Sequence, residues 1–311
     1  MQLDNIYFVE NQKLTKSQIN KLCEIVKKSH NQNFLYPSFE YIIYSKTIKF
    51  CCVFNNNKIV SFAIYMFRKW KKTNLTLKTL SIGYITTLPE FRGRGYATFL
   101  LSNVENLAKS KKIDFIYLQG IQDFYGKYGF KGFAPKSKFI FYKKDFISPE
   151  GQIVDLQNSN KNLIKKLHYN FFRNKEIYIK RDNEIWEDFF SHLKNTYLFY
   201  KPKIVLDKTL KPIIYFCTTP NEETTIREFI PCNSIRKVEK GLSLIFKEFG
   251  KIEKIEIFSD KSGIINELAL TKGADFFQYI RPNGSNMIKI INKNINLKDL
   301  EYSFIFQGDN S

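Results

Sequence analysis

Apolar positions recur along the first half of the chain with the spacing of a helix in some segments and the alternation of a strand in others, which predicts alternating helices and strands. Thr15-Lys16-Ser17-Gln18 has the form of a capping box, and apolar residues spaced three or four apart follow it, so a first helix should end near His30. Residues 49–54 and 58–67 are β-prone and flank three asparagines, which predicts a hairpin. Further strands are expected at 75–87, 114–119 and 138–142, with a helix to about residue 111 between the first two.

The second half repeats this order of elements. Its expected elements are a strand at 152–155, a helix at 162–172, a hairpin of 203–206 and 212–217, a strand at 224–230, a helix at 234–249, a strand at 252–258, a helix at 264–271 and a strand beginning at 273. The interval from Thr87 to Gly129 equals the interval from Pro231 to Gly273. We therefore predict an α/β (α+β) protein with two tandem mixed sheets flanked by helices.

A turn-forming segment, Ser148-Pro149-Glu150-Gly151, separates the two halves. It predicts a first domain of residues 1–147, closed by the strand at 138–142, and a second domain of residues 148–311. A chain of 311 residues suits two such domains better than one core, and a hydrophobic content of 43% supports globular folding.

Composition and charge narrow the class of protein. No apolar run approaches the roughly 20 residues that span a bilayer, and the N-terminus has no charged segment followed by an apolar one, so we expect a cytoplasmic protein without membrane partners. The net charge of +19 would suit nucleic acid, but the lysines are spread along the chain, so we attribute the charge to solvated lysine and do not expect nucleic acid. The five cysteines and three histidines form no metal-ligand spacing, so we expect buried thiols and no metal.

The segment Pro89-Glu90-Phe91-Arg92-Gly93-Arg94-Gly95-Tyr96-Ala97-Thr98 joins a predicted strand to a predicted helix. The first amides of a helix lack intrahelical acceptors and lie at the positive end of its dipole. Gly93 and Gly95 would remove the side chains that keep a phosphate from those amides, and two arginines add positive charge. We predict that this turn holds the pyrophosphate of a cofactor; the alternative is an ordinary glycine-rich turn before an amphipathic helix.

Two motifs of the first half resemble those of the GNAT superfamily of N-acetyltransferases. Arg92, Gly95 and Ala97 occupy the patterned positions of the acetyl-coenzyme-A signature Arg/Gln-x-x-Gly-x-Gly/Ala. Phe124-Tyr125-Gly126-Lys127-Tyr128-Gly129-Phe130 matches the closing motif Phe-Tyr-x-x-x-Gly-Phe. The resemblance covers roughly residues 1–145 and implies an acyltransferase that uses acetyl-coenzyme A (acetyl-CoA) to acetylate a primary amine of a small molecule or peptide.

The resemblance also implies roles for particular residues. In the family the pantetheine lies along a splayed strand, here residues 84–87, where a backbone amide polarises the thioester carbonyl. Tyr125 corresponds to the tyrosine that protonates the departing thiolate, and an ordinary phenol pKa near about 10 suits that donor; packing under the cofactor is the alternative role. Tyr128 is expected to be structural. The implied cofactor-binding residues are Ile85, Thr86, Thr87, Arg92, Gly93, Arg94, Gly95, Tyr96, Ala97 and Thr98.

The sequence assigns no general base. Residues 79–87 contain no carboxylate, although many enzymes of the family carry a glutamate on this strand, and Glu90 is expected to face solvent. Water, the second domain or a substrate that arrives neutral would each account for deprotonation. The alternative from a different class is a non-catalytic module that binds acyl-CoA or nucleic acid.

The second half lacks the features of a coenzyme site. Asn233-Ser234-Ile235-Arg236-Lys237-Val238 has no glycine where the phosphate turn would lie, so we predict a second, degenerate GNAT-like domain, with an unrelated α/β domain as the alternative. The tandem arrangement, with Ile179, Arg181 and Trp186 and the segment 287–292, resembles the enhanced-intracellular-survival family, whose members acetylate amines. In that family the terminal carboxylate of a third, sterol-carrier-like domain acts as a base; we expect no such domain here and transfer no role to Ser311.

Overall fold

The computed structural model describes residues 6–10, 15–30, 45–133, 136–147, 149–173, 175–191, 201–219, 222–259, 263–279 and 283–296, so Ser311 lies outside the described residues. The helices are α1 (Lys16–His30), α2 (Tyr96–Ser110), α3 (Gln122–Tyr125), α4 (Lys161–Phe172), α5 (Asn183–Ser191), α6 (Ile235–Glu248) and α7 (Ile264–Lys272). The strands of the first half are β1 (Ile6–Glu10), β2 (Ile48–Asn55), β3 (Lys58–Lys72), β4 (Leu75–Thr87), β5 (Phe115–Ile121), β6 (Lys131–Gly132) and β7 (Lys136–Tyr142). Those of the second half are β8 (Gln152–Asp155), β9 (Ile177–Lys180), β10 (Lys201–Leu206), β11 (Pro212–Thr219), β12 (Glu222–Pro231), β13 (Lys254–Ser259), β14 (Asp275–Tyr279) and β15 (Asn283–Ile290).

Local signals in the sequence account for where several elements begin. The capping box of α1 is formed in both directions, because the Gln18 amide donates to Thr15 Oγ1 (3.2 Å) and the Thr15 amide donates to Gln18 Oε1 (2.8 Å). The hairpin of β2 and β3 turns through Asn56 and Asn57, whose φ angles are 47° and 62°. A two-residue turn with two positive φ angles matches the twist of the flanking strands. Both predictions are confirmed.

The strands form two sheets with the same arrangement. The first sheet runs β1-β2-β3-β4-β5-β15-β6, with β9 paired to the far end of β3, and the second runs β8-β10-β11-β12-β13-β7-β14. In each sheet the fourth and fifth strands are parallel over a short ladder, and the other ladders of the described strands are antiparallel. The predicted tandem of mixed sheets flanked by helices is confirmed.

The two sheets exchange strands between the halves of the chain, because the second sheet contains β7 from the first half and the first sheet contains β15, in addition to β9, from the second half. β7 pairs with β13 and β14 in the second sheet, and β15 pairs with β5 and β6 in the first. The prediction that residues 138–142 form the last strand of the first domain is therefore wrong. The local pattern predicts a strand but not its partner, and the place beside β5 is taken by β15, whose Met287 and Ile288 enter the apolar clusters on opposite faces of the first sheet.

Each sheet lies between two layers of helices. In the first unit α2 packs on one face of the sheet and α1 on the other. Cys51 and Cys52, which are adjacent on β2, belong to these two opposite clusters, as alternation along a strand requires. In the second unit α6 and α7 cover one face, and α4 and α5 cover the other. Within the described part of the chain, no helix combines the length and apolar character needed to cross a membrane.

A buried ion pair joins the two units. Arg181, which directly follows β9 of the first sheet, contacts Glu228 on β12 of the second, and each side chain is only 8% exposed. The guanidinium lies 5.2 Å from the ring centre of Trp186 in α5, and Glu228 accepts a hydrogen bond from the Tyr215 hydroxyl. Arg181 and Trp186 therefore hold the two sheets together through α5.

We expect Arg181→Met to lower the free energy of unfolding by about 3–5 kcal/mol, because Glu228 would remain buried without its cation. Urea unfolding measures the change. Lys21→Met is the matched control, because the Lys21–Glu24 pair is 53% and 56% exposed and should contribute at most about 1 kcal/mol. The double variant Arg181→Met/Glu228→Met should lose less than the single variant. Equal losses in Arg181→Met and Lys21→Met would contradict this account.

Candidate functional site

A β-bulge separates β4 from its parallel neighbour β5. The ladder between β3 and β4 shifts its register at one point. Between two successive residue pairs of this ladder, β4 contains one more residue than β3 does. The extra residue lies between Gly83 and Thr86, where Tyr84 has a φ of 49°. The ladder between β4 and β5 ends at Ser81, and beyond it the only described strand that pairs with β4 is β3. A wedge therefore opens between β4 and β5, as the family resemblance implied for residues 84–87.

Gly93 and Gly95 shape the turn between β4 and α2. Both have positive φ angles, 75° and 81°, and Gly95 is the N-cap of α2. A Cβ added at either position would meet no atom within 4 Å, so the space in front of this turn is open. No side chain caps the first amides of α2, which leaves them available to an anion.

The splayed end of β4 and the first turn of α2 border one cavity of about 550 Å³. Its lining residues are Ile85, Thr86, Thr87, Phe91, Arg92, Gly93, Gly95, Tyr96, Ala97, Thr98, Phe124 and Tyr128. The structure thus brings together every cofactor-binding residue predicted from the sequence except Arg94. Tyr96 contributes through its backbone, because its side chain is buried and hydrogen-bonded to Asn55.

Positively charged side chains surround the mouth of this cavity. Arg92 Nε donates to the carbonyl at the end of β4 (3.2 Å). The guanidinium of Arg94 and the ammonium of Lys58 lie 5.4 Å and 4.8 Å from the ring centre of Phe91. Glu90 pairs with Lys58, and its side chain is 56% exposed, so Glu90 faces solvent as expected. Three cations around one carboxylate favour a ligand with several negative charges.

Along the chain, Tyr125 lies between Phe124 and Tyr128, which both line the cavity, but Tyr125 is not itself part of the lining. Its ring occupies the space beside Gly120, where an added Cβ would lie 2.1 Å from Cε2, so only glycine at that position allows this placement. Burial, with a smaller contribution from Tyr128, raises the pKa of Tyr125 to about 12. The prediction of an ordinary pKa is therefore wrong, because desolvation disfavours the phenolate. The hydroxyl remains protonated at neutral pH, as a proton donor requires.

Tyr128 takes part in the cavity, although the sequence analysis treated it as structural. Its hydroxyl hydrogen-bonds with Thr98 Oγ1 (3.0 Å) in the first turn of α2. Phe91 and Phe124 lie within the two motifs but received no role from the sequence, and they supply the apolar part of the wall. The sequence contained one signal for this part of the wall, which is the four-residue spacing of Phe124 and Tyr128. Helical turns place residues with this spacing on the same side, so both could face one cavity.

The corresponding turn of the second unit has different chemistry. The side chain of Ser234, the N-cap of α6, makes no capping bond, and Lys237 in the first turn pairs with Asp207 (2.9 Å). No glycine provides the conformations found at Gly93 and Gly95. Across the described ranges, no group of three or more His, Cys, Asp or Glu residues is arranged to hold a metal ion, and none of the five cysteines forms a disulfide.

Comparisons with known proteins agree with this geometry. The family model described as an acetyltransferase (GNAT) domain matches residues 10–133, and no curated protein matches the sequence. A probable N-acyltransferase from Enterococcus faecalis has a TM-score of 0.71 at 14% identity, over 95% of this chain and 74% of that chain. Eis1 from Mycobacterium abscessus has a TM-score of 0.58 at 10% identity, over 92% of this chain and 73% of that chain. A tandem GNAT protein from the clavulanic acid biosynthesis pathway has a TM-score of 0.53 at 8% identity, over 92% of this chain and 98% of that chain. Residues 10–133 therefore match a GNAT acetyltransferase domain, and the chain as a whole has the fold of tandem GNAT proteins.

Proposed function

We propose that the first unit transfers the acetyl group of acetyl-CoA to a primary amine. The GNAT domain supports acyl transfer as the general reaction. The observation that carries the proposal is one cavity shared by the splayed end of β4 and the uncapped N-terminus of α2. Coenzyme A combines a pyrophosphate with a long pantetheine arm, so it needs an anion site and an adjoining channel, and this cavity provides both.

In this proposal each element of the site has one task. Arg92 and the backbone amides of residues 93–98 bind the pyrophosphate, and the backbone of residues 85–87 holds the pantetheine. An amide of the same strand stabilises the negative charge that develops on the thioester oxygen. The amine forms a new C–N bond as the C–S bond breaks, and Tyr125 donates its proton to the thiolate. No described residue of the lining is acidic or a histidine, so the proton of the amine passes to water.

The second unit has a supporting part in the proposal. It binds no coenzyme of its own, because its turn at residues 233–238 lacks the open glycine backbone of the first unit. It packs against the first unit through β9 and the Arg181–Glu228 pair. In this proposal it shapes the cleft that the amine enters.

Changing both Gly93 and Gly95 to alanine should weaken binding of acetyl-CoA by at least about tenfold, because each Cβ would occupy space assigned to the phosphates. Calorimetric titration measures the dissociation constant. Gly250→Ala is the matched control: Gly250 also has a positive φ (54°) and open space around it, but it lies at the end of α6. The control should bind normally, and equal affinity in all three proteins would argue against the phosphate site.

Replacing Tyr125 with phenylalanine should lower kcat by about 10²- to 10⁴-fold and leave the coenzyme affinity nearly unchanged. A steady-state assay of released coenzyme A thiol, with a panel of amines, measures both. Tyr128→Phe should show the opposite pattern, with a few-fold weaker coenzyme affinity through the lost bond to Thr98 and little change in kcat. Unchanged turnover in Tyr125→Phe would remove the donor role.

The raised pKa of Tyr125 also predicts how kcat depends on pH. The protonated phenol is the donor and is retained below its pKa of about 12, so its ionisation should cause no fall in kcat between about pH 7 and pH 10. A pH–rate profile of the wild-type chain beside Tyr125→Phe tests this expectation. An alkaline fall in that range, present in the wild type and absent in the variant, would contradict it.

A further inference from the structure

Arg68 is a buried cation for which no described residue supplies an anionic partner. It is 7% exposed, and its Nε and Nη1 atoms are buried without a hydrogen-bond acceptor. Its Nη2 atom donates to the sulfur of Met66 (2.9 Å), which is a weak acceptor. A guanidinium remains charged throughout the physiological pH range, and a buried charge without a partner is strongly unfavourable. The site is therefore incomplete with the described residues alone.

A second orphaned group lies beside it. The Ser81 hydroxyl on β4 is also buried without a hydrogen-bond partner. Ser81 is the Cα partner of Met66, and the guanidinium of Arg68 reaches toward Met66, so the two orphaned groups occupy neighbouring positions. Ser81 is also the last residue of β4 that pairs with β5. Both groups therefore lie at the point where β4 and β5 separate.

These groups are on the face of the sheet opposite the coenzyme cavity. Leu80 and Ile82, the neighbours of Ser81 along β4, belong to the cluster under α2, so Ser81 points to the other face. Arg68 lies between two apolar clusters on that face, one that contains Met66 and one that contains Trp70, and it belongs to neither. A coenzyme held on the α2 side would deliver its thioester through the wedge toward this face.

We propose that Arg68 and Ser81 form a subsite for a carboxylate carried by one of the two reactants, an inference that rests on the proposed acetyltransfer site. A carboxylate would accept charge-assisted hydrogen bonds from the guanidinium and one from the hydroxyl, so one small anion would neutralise the buried charge and give both Arg68 and Ser81 a partner. The carboxylate belongs either to the acceptor, as in an amino acid, or to the acyl group, as in the coenzyme A thioester of a dicarboxylic acid. The recognition chemistry is the same in both cases.

The first test is stability without any ligand. Arg68→Met keeps the length of the side chain and removes the unpaired charge, so its melting temperature should equal or exceed that of the wild type. Lys69→Met removes a charge from the next residue of β3, which is 54% exposed and paired with Asp182, and serves as the control. A melting temperature several degrees lower in Arg68→Met than in Lys69→Met would overturn the proposal, because it would show that the chain itself provides a partner for Arg68.

The second test is recognition of the carboxylate. With saturating coenzyme A, L-lysine is compared with cadaverine and L-phenylalanine with phenethylamine, each pair differing by one carboxylate. In a separate arm, succinyl-CoA is compared with acetyl-CoA, both with cadaverine. Binding is followed by the shift in melting temperature and by calorimetry. Transfer is measured by thiol release, with acetyl-CoA in place of coenzyme A in the first arm.

We expect a preference for the carboxylate form of about 10- to 100-fold in one arm, and the arm in which it appears identifies the source. The preference should disappear in Arg68→Met, return partly in Arg68→Lys and persist in Lys69→Met. No preference in either arm, or an equal shift with inorganic phosphate, would overturn the subsite. If coenzyme A binds normally in that case, the proposed function stands. If carboxylates shift the melting temperature but coenzyme A does not bind, the proposed function fails and the subsite stands.

Discussion

The divergence of β4 from β5 is the constraint on which the rest of the site depends. A parallel pair that continued past Ser81 would leave no room between the strands, and the bulge at Tyr84 ends the ladder there. This bend directs the end of β4 toward the first turn of α2, so strand backbone and helix amides face one cavity. The same divergence sets Ser81 and Arg68 at the base of the wedge. One backbone irregularity thus creates both the channel proposed for the coenzyme and the position proposed for the carboxylate subsite.

The exchange of β7 and β15 explains how such a wedge is tolerated. A strand that leaves its neighbour exposes unpaired backbone groups, which are costly when buried and prone to aberrant pairing when exposed. β15 pairs with β5 along its length, and Lys289 on β15 contacts Glu105 on α2, so the open side of the first sheet is closed by the C-terminal part of the chain. β7 does the same for the second sheet. The cavity between β4 and α2 therefore depends on the folding of the second unit.

The sequence predicted those features of the structure that a short segment determines by itself. The capping box at Thr15, the asparagine hairpin and the glycines at 93 and 95 each follow from the backbone conformation that a short segment can adopt. It failed where the cause is non-local: the pattern of residues 138–142 indicates a strand but not a partner more than a hundred residues away. The pKa of Tyr125 depends on burial that no motif encodes. Arg68 resembles an ordinary strand residue until the structure shows that Met66 and Trp70, on the same face, are fully covered.

The most direct test of the central claim is the number of acetyl-CoA molecules that one chain binds. Equilibrium dialysis of the full-length protein against labelled acetyl-CoA gives this number without any assumption about the acceptor. The account predicts one molecule per chain, held by the first unit between β4 and α2. Two molecules per chain would show that the second unit is not degenerate, and no binding would contradict the assignment of the cavity to a coenzyme.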